Sequence, residues 1–335
     1  MRGAIFLSTD QIEPALRNEF WRAVSRPVFD VLPAEAGGAL RGSVLARPIG
    51  RLTIAATHFN GQLYRRDRQI IVGGGLDHYL LQLIVAGTMK ADCDGTSISA
   101  GPGDICLFDL ARTYTSDAEP GVRITLAIPR ERIDGAAGGR TVHGLLLGSA
   151  SPLTRLLRGL ILDLHQDAGE IGAADAAGAE MATVDFISAI VANKVLKSAD
   201  APERTLRQHM LGFIDAHMAE PELGTAMLMR QFQISRAHLY RVFAADGGVA
   251  TVIRERRLDA AYRRLKSEED RSHSITELAY ALGFTSSGQF SRAFRTRFGA
   301  SPREIRSDPS PGNRTENEPT LLQSHFTRQA RRWFT

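Results

Sequence analysis

The chain has 335 residues, 43% hydrophobic and 23% charged, with 41 Lys plus Arg against 37 Asp plus Glu for a net charge of +4. This is an ordinary globular composition with room for two domains and a connecting segment, and it excludes a collagen-like or wholly disordered chain. The longest apolar runs fall far below the about 18 residues a membrane span needs, and no charged region followed by an apolar core opens the sequence.

Residues 40 to 130 read as strands. The runs LTIAATHF, HYLLQLIVAG, TMKADC, ICLFDL and VRITLAI are β-rich and are separated by turns such as Asp94-Gly95 and the Gly101-Pro102-Gly103-Asp104 corner. Many short strands with glycine-rich turns predict a sandwich or barrel, whose interior often holds a small molecule. His58 and His78 are isolated and no H-x-H pair exists, so neither a metal site nor a catalytic centre is expected. His78, Tyr79 and Arg66 stay open as effector contacts, with nothing in the sequence to choose among them. Cys93 and Cys106 have no metal or redox spacing and read as two reduced thiols on or near strands.

Two helical patterns follow. SPLTRLLRGLILDLHQ starts with Ser151 as cap and Pro152 at the first helical position, and repeats Leu153, Leu156, Leu157, Leu160, Ile161 and Leu164 on one side. AGAEMATVDFISAIVANKVLK comes after a glycine- and alanine-rich break. These stripes fit packing on the barrel or a helix pair that joins two subunits, and both readings stand. Ser198 to Arg204, with Ala201-Pro202, reads as a linker.

The next hundred residues nearly repeat themselves. LMRQFQISRAHLYRVFAADGGVAT aligns with LAYALGFTSSGQFSRAFRTRFGASP once one residue is inserted in the second turn: Leu228 matches Leu278, Leu239 matches Phe290, Arg241 matches Arg292 and Phe243 matches Phe294. One structural unit is therefore used twice. In the second copy Ser274 and Glu277 form a capping box and Gly283 ends the helix in the left-handed region. Ser286 and Gln289 have the same box spacing and start another helix, on which Phe290, Ala293, Phe294 and Phe298 make one apolar stripe. That leaves Ser287, Gly288, Ser291, Arg292 and Arg295 facing outward. Each copy is a pair of short helices joined by a tight turn, the shape of a helix-turn-helix whose second helix enters the major groove of DNA.

Those second helices, Ser235 to Phe243 and Ser287 to Phe298, carry no acid. Between the copies, residues 249 to 266 predict a helix about 27 Å long, suited to holding two helices about one DNA turn, 34 Å, apart. Residues 201 to 306 hold 17 Lys plus Arg against 12 Asp plus Glu, whereas residues 1 to 200 hold 20 against 22. The excess base thus sits where DNA would sit. Beyond Arg306, SDPSPGNRTENEPT reads as disordered. The last segment, TLLQSHFTRQARRWFT, could form an amphipathic turn or two with Leu322, Phe326 and Trp333 available for docking.

The motifs A-x-x-x-G-F (Ala279 to Phe284), S-x-x-x-F-S-R-A-F-R-x-x-F-G-x-S-P (Ser286 to Pro302) and S-R-x-x-L-Y-R-x-F (Ser235 to Phe243) closely resemble the DNA-binding domain of the AraC/XylS transcription regulators. One departure is Thr251, where the family often places proline; the linker arginines Arg254, Arg256 and Arg257 keep the usual basic character. The corner GTSISAGPGDICLFDL resembles that of a cupin-like barrel, and its place before the repeat resembles the effector-binding half of the same regulators.

The resemblance implies an α+β chain: a cupin-like sensor over residues 1 to 150, a helical connecting or dimerisation segment over 151 to 200, an all-α double helix-turn-helix domain over 201 to 306, and a flexible tail over 307 to 335. It implies base contacts from Ala237, Tyr240 and Arg241 in the first copy and from Ser287, Gly288, Ser291 and Arg292 in the second. Arg236, His238, Arg295 and Arg297 are assigned to phosphate or structure. The expected partners are double-stranded promoter DNA, RNA polymerase, a small-molecule effector and a second subunit, in the cytoplasm, with no cofactor. Two rivals remain: a cupin-type enzyme carrying a DNA-binding module, and an effector-independent regulator whose barrel is only a scaffold.

Overall fold

The computed structural model describes residues 3–137, 141–199, 206–266, 273–307 and 321–334. These form two compact units. The first contains twelve strands: β1 (Ile5–Ser8), β2 (Asp30–Pro33), β3 (Gly42–Ile49), β4 (Leu52–Phe59), β5 (Gln62–Arg66), β6 (His78–Ala86), β7 (Met89–Cys93), β8 (Thr96–Ala100), β9 (Ile105–Asp109), β10 (Tyr114–Ala118), β11 (Gly121–Pro129) and β12 (Leu145–Leu147). They make a seven-stranded sheet, β1-β3-β4-β11-β6-β9-β12, and a five-stranded sheet, β2-β5-β10-β7-β8. Every pairing is antiparallel. The five runs expected as strands are β4, β6, β7, β9 and β11.

Alternation along β4 and β11 shapes the interior. Ile54, Leu126 and Ile128 are fully buried on one face, while Thr53, Ala55, Thr57, Thr125 and Ala127 point the other way and line a cavity. The register pairs these small residues with one another, Thr125 with Ala55 and Ala127 with Thr53. Small side chains stacked across neighbouring strands leave unfilled space.

Helices complete this unit: α1 (Arg17–Ser25), α2 (Arg68–Gly74), α3 (Glu131–Ala137), α4 (Pro152–Asp167) and α5 (Ala173–Ala199). α4 packs on β4 and β11, and Glu180 of α5 accepts from the Arg51 backbone N–H at 2.7 Å. The leucine stripe of α4 divides. Leu157, Ile161 and Leu164 are buried, but Leu153 and Leu156 are exposed, because a sheet covers a narrower arc of a helix than the stripe occupies. The linker expected from Ser198 lies outside the described residues from position 200 onward.

The second unit is helical: α6 (Leu206–Ala216), α7 (Thr225–Phe232), α8 (Arg236–Val242), α9 (Val249–Lys266), α10 (Ile275–Ala281), α11 (Ser287–Phe298) and α12 (Pro302–Ser307). Leu228, Leu239, Phe243 and Ile253 share a core in the first copy; Phe290, Phe294 and Phe298 are buried in the second.

The expectation of a flexible tail over 307 to 335 needs correction. Residues 308–320 lie outside the described residues, but Leu321–Phe334 forms a helix, α13, that belongs to the first unit. Its stripe has a large partner surface: Leu322 is buried in the barrel core with Phe326 packed beside it, and Trp333 meets Phe20 of α1 edge to face at 5.4 Å. His325 Nε2 lies 3.1 Å from the carbonyls of Ala23 and Val24 at the end of α1. Burial pushes its pKa down, so the ring is neutral there and can donate one N–H to these orphan carbonyls.

Candidate nucleic-acid interface and barrel cavity

In the second unit each copy of the repeat puts a short helix with no acid on the surface. Ser235 caps α8 by accepting from the His238 N–H at 3.2 Å, and Ser286 caps α11 by accepting from the Gln289 N–H at 3.4 Å. On α8, Arg236, Ala237, Tyr240 and Arg241 are exposed and His238 is half-buried. Arg236 lies over the Tyr240 ring, 5.6 Å from its centroid. On α11, Gly288, Arg292 and Arg295 are exposed, with Ser287 and Ser291 half-buried beside them. All ten residues expected at the DNA interface therefore fall on these two helices.

Other arginines serve the frame. Arg256 of α9 gives both Asp215 oxygens a hydrogen bond, at 2.7 and 2.6 Å. Arg257 donates to the carbonyls of Met218 at 3.0 Å, Glu220 at 2.6 Å and Gly283 at 2.8 Å. It thus ties the loop after α6 to the turn of the second copy. Arg297 of α11 pairs with Asp259 and Glu255 of α9. Of the three linker arginines expected to keep basic character, Arg256 and Arg257 are buried and Arg254 alone is exposed. Sequence cannot separate these roles, because the same guanidinium suits phosphate and buried carboxylate alike.

In the first unit, the three residues left open as effector contacts are buried, and the side chains of Arg66 and Tyr79 have structural partners. Arg66 is buried and donates to the carbonyls of Leu110 at 2.8 Å, Pro27 at 2.9 Å and Val28. The Tyr79 hydroxyl donates to Asp134 at 2.7 Å and accepts from Arg130 at 3.0 Å, and Arg130 is also paired with Asp77 and Asp109. His78 is buried at the start of β6, where its carbonyl accepts from the Leu110 N–H. Cys93 and Cys106 lie buried on β7 and β9, and burial pushes the Cys106 thiol up to about 12.

The cavity uses different residues. Its walls include Trp21, Val44, Phe59, Tyr64, Leu80 and Gln82, together with Leu322 and Phe326 from α13. About 90 Å³ of the cavity can hold the centre of a water molecule. Arg123 of β11 reaches into it, 5% exposed, with its guanidinium 4.6 Å from the Phe59 ring centroid and 5.1 Å from that of Tyr64. Its Nη2 is buried without a hydrogen-bond partner. Tyr64 donates its hydroxyl to Gln62 at 2.8 Å, and burial pushes its pKa up to about 12. Sequence reading missed Arg123, although one signal was there: a lone cation facing inward on a strand whose same-face neighbours are threonine and alanine.

A basic double helix-turn-helix unit, in a chain whose other unit is a barrel with a cavity, defines a DNA-binding transcriptional regulator with a separate N-terminal sensor-type unit. Comparison with known proteins makes this specific. Residues 17–192 match the AraC-binding-like domain and residues 228–308 the helix-turn-helix domain of these regulators; the chain belongs to the AraC family. The transcriptional activator NphR of a Rhodococcus species is 23% identical over 264 residues, 76% of this chain and 78% of NphR. The activator RhaS of Escherichia fergusonii is 30% identical over 152 residues, 45% of this chain and 53% of RhaS, so that match spans about half of RhaS. The crystal structure of the AraC-like activator CuxR shares the fold, with a TM-score of 0.52 and 22% identity over 77% of this chain and 95% of that one. No helix among the described residues is long and apolar enough to cross a membrane.

Proposed function

We propose that this chain is a cytoplasmic, effector-responsive activator that binds promoter DNA as a homodimer, each subunit laying α8 and α11 into successive major grooves. One observation carries the reading: two acid-free helices with exposed arginines are fixed to the same rod, α9, α11 through the Arg297 pairs with Asp259 and Glu255 and α8 through the core that Leu239 and Phe243 share with Ile253. A rod braced in that way presents both helices as one surface, and phosphate contacts then supply affinity while base contacts supply sequence preference. In this reading Arg241 and Arg292 bond guanine O6 and N7, with Ala237, Tyr240, Ser287, Gly288 and Ser291 completing the base-facing set, and Arg236, His238 and Arg295 meet phosphate.

Activation rather than repression is supported by the relatives NphR and RhaS, both transcriptional activators, and implies contact with RNA polymerase. The dimer reading is supported by α4, whose exposed Leu153 and Leu156 continue an apolar stripe beyond the barrel. An effector acts only through unequal affinity for two states of the protein.

The test is footprinting of purified protein across candidate promoters. For each subunit, two protected major-groove segments about one turn apart are expected. A single protected segment, or no preference for any fragment at low salt, would overturn the reading. Sedimentation of wild type and Leu156→Glu checks the dimer: a variant that stays dimeric removes α4 from the interface.

A further inference from the structure

The barrel cavity has one cation, several aromatic walls and, among the described residues that line it, no acid. A guanidinium withdrawn from water is costly unless its donors are satisfied. The frame arginines of this chain each meet at least one carbonyl or carboxylate oxygen, as Arg66, Arg130, Arg256, Arg257 and Arg297 do. Arg123 departs from that pattern. The rings of Phe59 and Tyr64 face its charge, but a ring face leaves in-plane N–H groups unsatisfied, and Nη2 has no acceptor.

We infer that this cavity is a binding site for a small carboxylate with an apolar body, whose anionic end pairs with Arg123 and whose body lies against Trp21, Phe59, Leu322 and Phe326.

A planar carboxylate matches the guanidinium fork and supplies the missing acceptor in a charge-assisted bond. A cationic ligand would meet a like charge with no acid to offset it. A sugar would leave most hydroxyls unpaired, because the polar lining beyond Arg123 is Ser25, three threonines and Gln82, with the Tyr64 hydroxyl and the Trp21 indole N–H already donated to Gln62. Size sets a second limit. At about 10–15 Å³ per water centre, the accessible space holds roughly six to nine waters, or one small ring with a carboxyl group. α13 closes one side, so the last helix of the chain forms part of the site.

This inference rests on the reading of the barrel as a sensor, and its test is separate from DNA. The only two tryptophans of the chain are Trp21 and Trp333, one in the cavity wall and one on α13, so intrinsic fluorescence reports on this region alone. Full-length protein is titrated without DNA with benzoate, phenylacetate and hexanoate, with the matching amides, with benzylamine and with inorganic phosphate, and the affinities are checked by calorimetry. Saturable binding of at least one acid is expected, with its amide about 10- to 100-fold weaker. Benzylamine and phosphate should not compete. Arg123→Gln and Arg123→Met, each checked for native circular dichroism, should lower acid affinity to that of the amide; Phe326→Ala should weaken acid and amide together. Three outcomes overturn the inference: no acid binds, acid and amide bind wild type equally, or a folded Arg123 variant keeps wild-type acid affinity. Since promoter footprinting is independent, failure here leaves the DNA-binding reading standing, and failure there leaves this one.

Discussion

The two helix-turn-helix copies share a plan but solve their turns differently. In the second, α10 is opened by a full capping box, with the Ser274 N–H donating to Glu277 at 2.6 Å and the Glu277 N–H donating back at 3.0 Å. The turn then passes through Gly283 at φ +75°. In the first, α7 starts at Gly224 with no side-chain cap, and the turn passes through Gln233 at φ +50°. A side chain in the left-handed region costs about 1–2 kcal/mol. The second copy is thus locally optimised and the first carries strain. The difference follows from packing: a Cβ on residue 283 would lie 2.5 Å from Arg257 Nη2 and 3.0 Å from the Met218 carbonyl, whereas Gln233 is exposed. Glycine at 283 is demanded by the neighbour; at 233 nothing approaches closely enough to demand it.

The sharpest test of that contrast is Gly283→Ala. Left-handed strain of about 1–3 kcal/mol adds to displacement of Arg257 from three carbonyls, so a total loss of about 3–4 kcal/mol is expected in urea unfolding. Gln233→Ala should stay within about 0.5 kcal/mol. Equal losses at the two positions would break the comparison. On DNA, Arg292→Ala should cost about 1–3 kcal/mol at the cognate site and much less on random sequence. Arg236→Ala should weaken all sequences alike and lower the salt slope by about one. If Arg292→Ala also weakens both classes equally in a titration, Arg292 is a phosphate contact and the copies do not divide the reading of bases as proposed.

What the sequence made legible was periodic. The Phe290, Phe294, Phe298 stripe, the Ser274 and Ser286 caps and the Gly283 stop all depend on neighbours within a turn or two, and all appear as expected. The span of α9, Val249–Lys266, matches for the same reason. Partnerships across the fold were not legible. Nothing local distinguishes Arg257, tied to three carbonyls, from Arg254 in solvent. α13 showed its apolar stripe, but its carbonyl partners Ala23 and Val24 lie about three hundred residues away in sequence. The cavity required two strands of small residues, an α1 tryptophan and an α13 phenylalanine to meet, so Arg123 looked like any strand arginine.

A smaller effect comes from removing the strain instead of adding it. Gln233→Gly frees the left-handed backbone but adds unfolded-state entropy, leaving a net gain of about 0.5–1 kcal/mol. A thermal unfolding scan that shows a loss would mean that the Gln233 side chain contributes a contact outweighing its backbone cost.

The smallest expected effect is pH dependence that only the second copy's opening helix should show. The backbone N–H of Ser274 holds the Glu277 carboxylate below its ordinary value of 4.5, helped by the Ser274 side chain. A carboxyl group depressed in the folded state adds stability that is fully present above the unfolded value and is lost as pH falls through the folded one. Acidification below 4.5 should therefore loosen the start of α10 while leaving the start of α7 unchanged, because Gly224 has no side chain to protonate. Ser301 and Glu304 form a similar reciprocal pair at α12, so a global melt would mix the two. The Ser274 amide resonance, followed by NMR, isolates the first: it should move with a midpoint below 4.5, and in Glu277→Gln, which keeps an acceptor but no titrating group, that step should vanish. A midpoint at or above 4.5 would show that the box does not hold in solution, and the two copies would then differ at their turns alone.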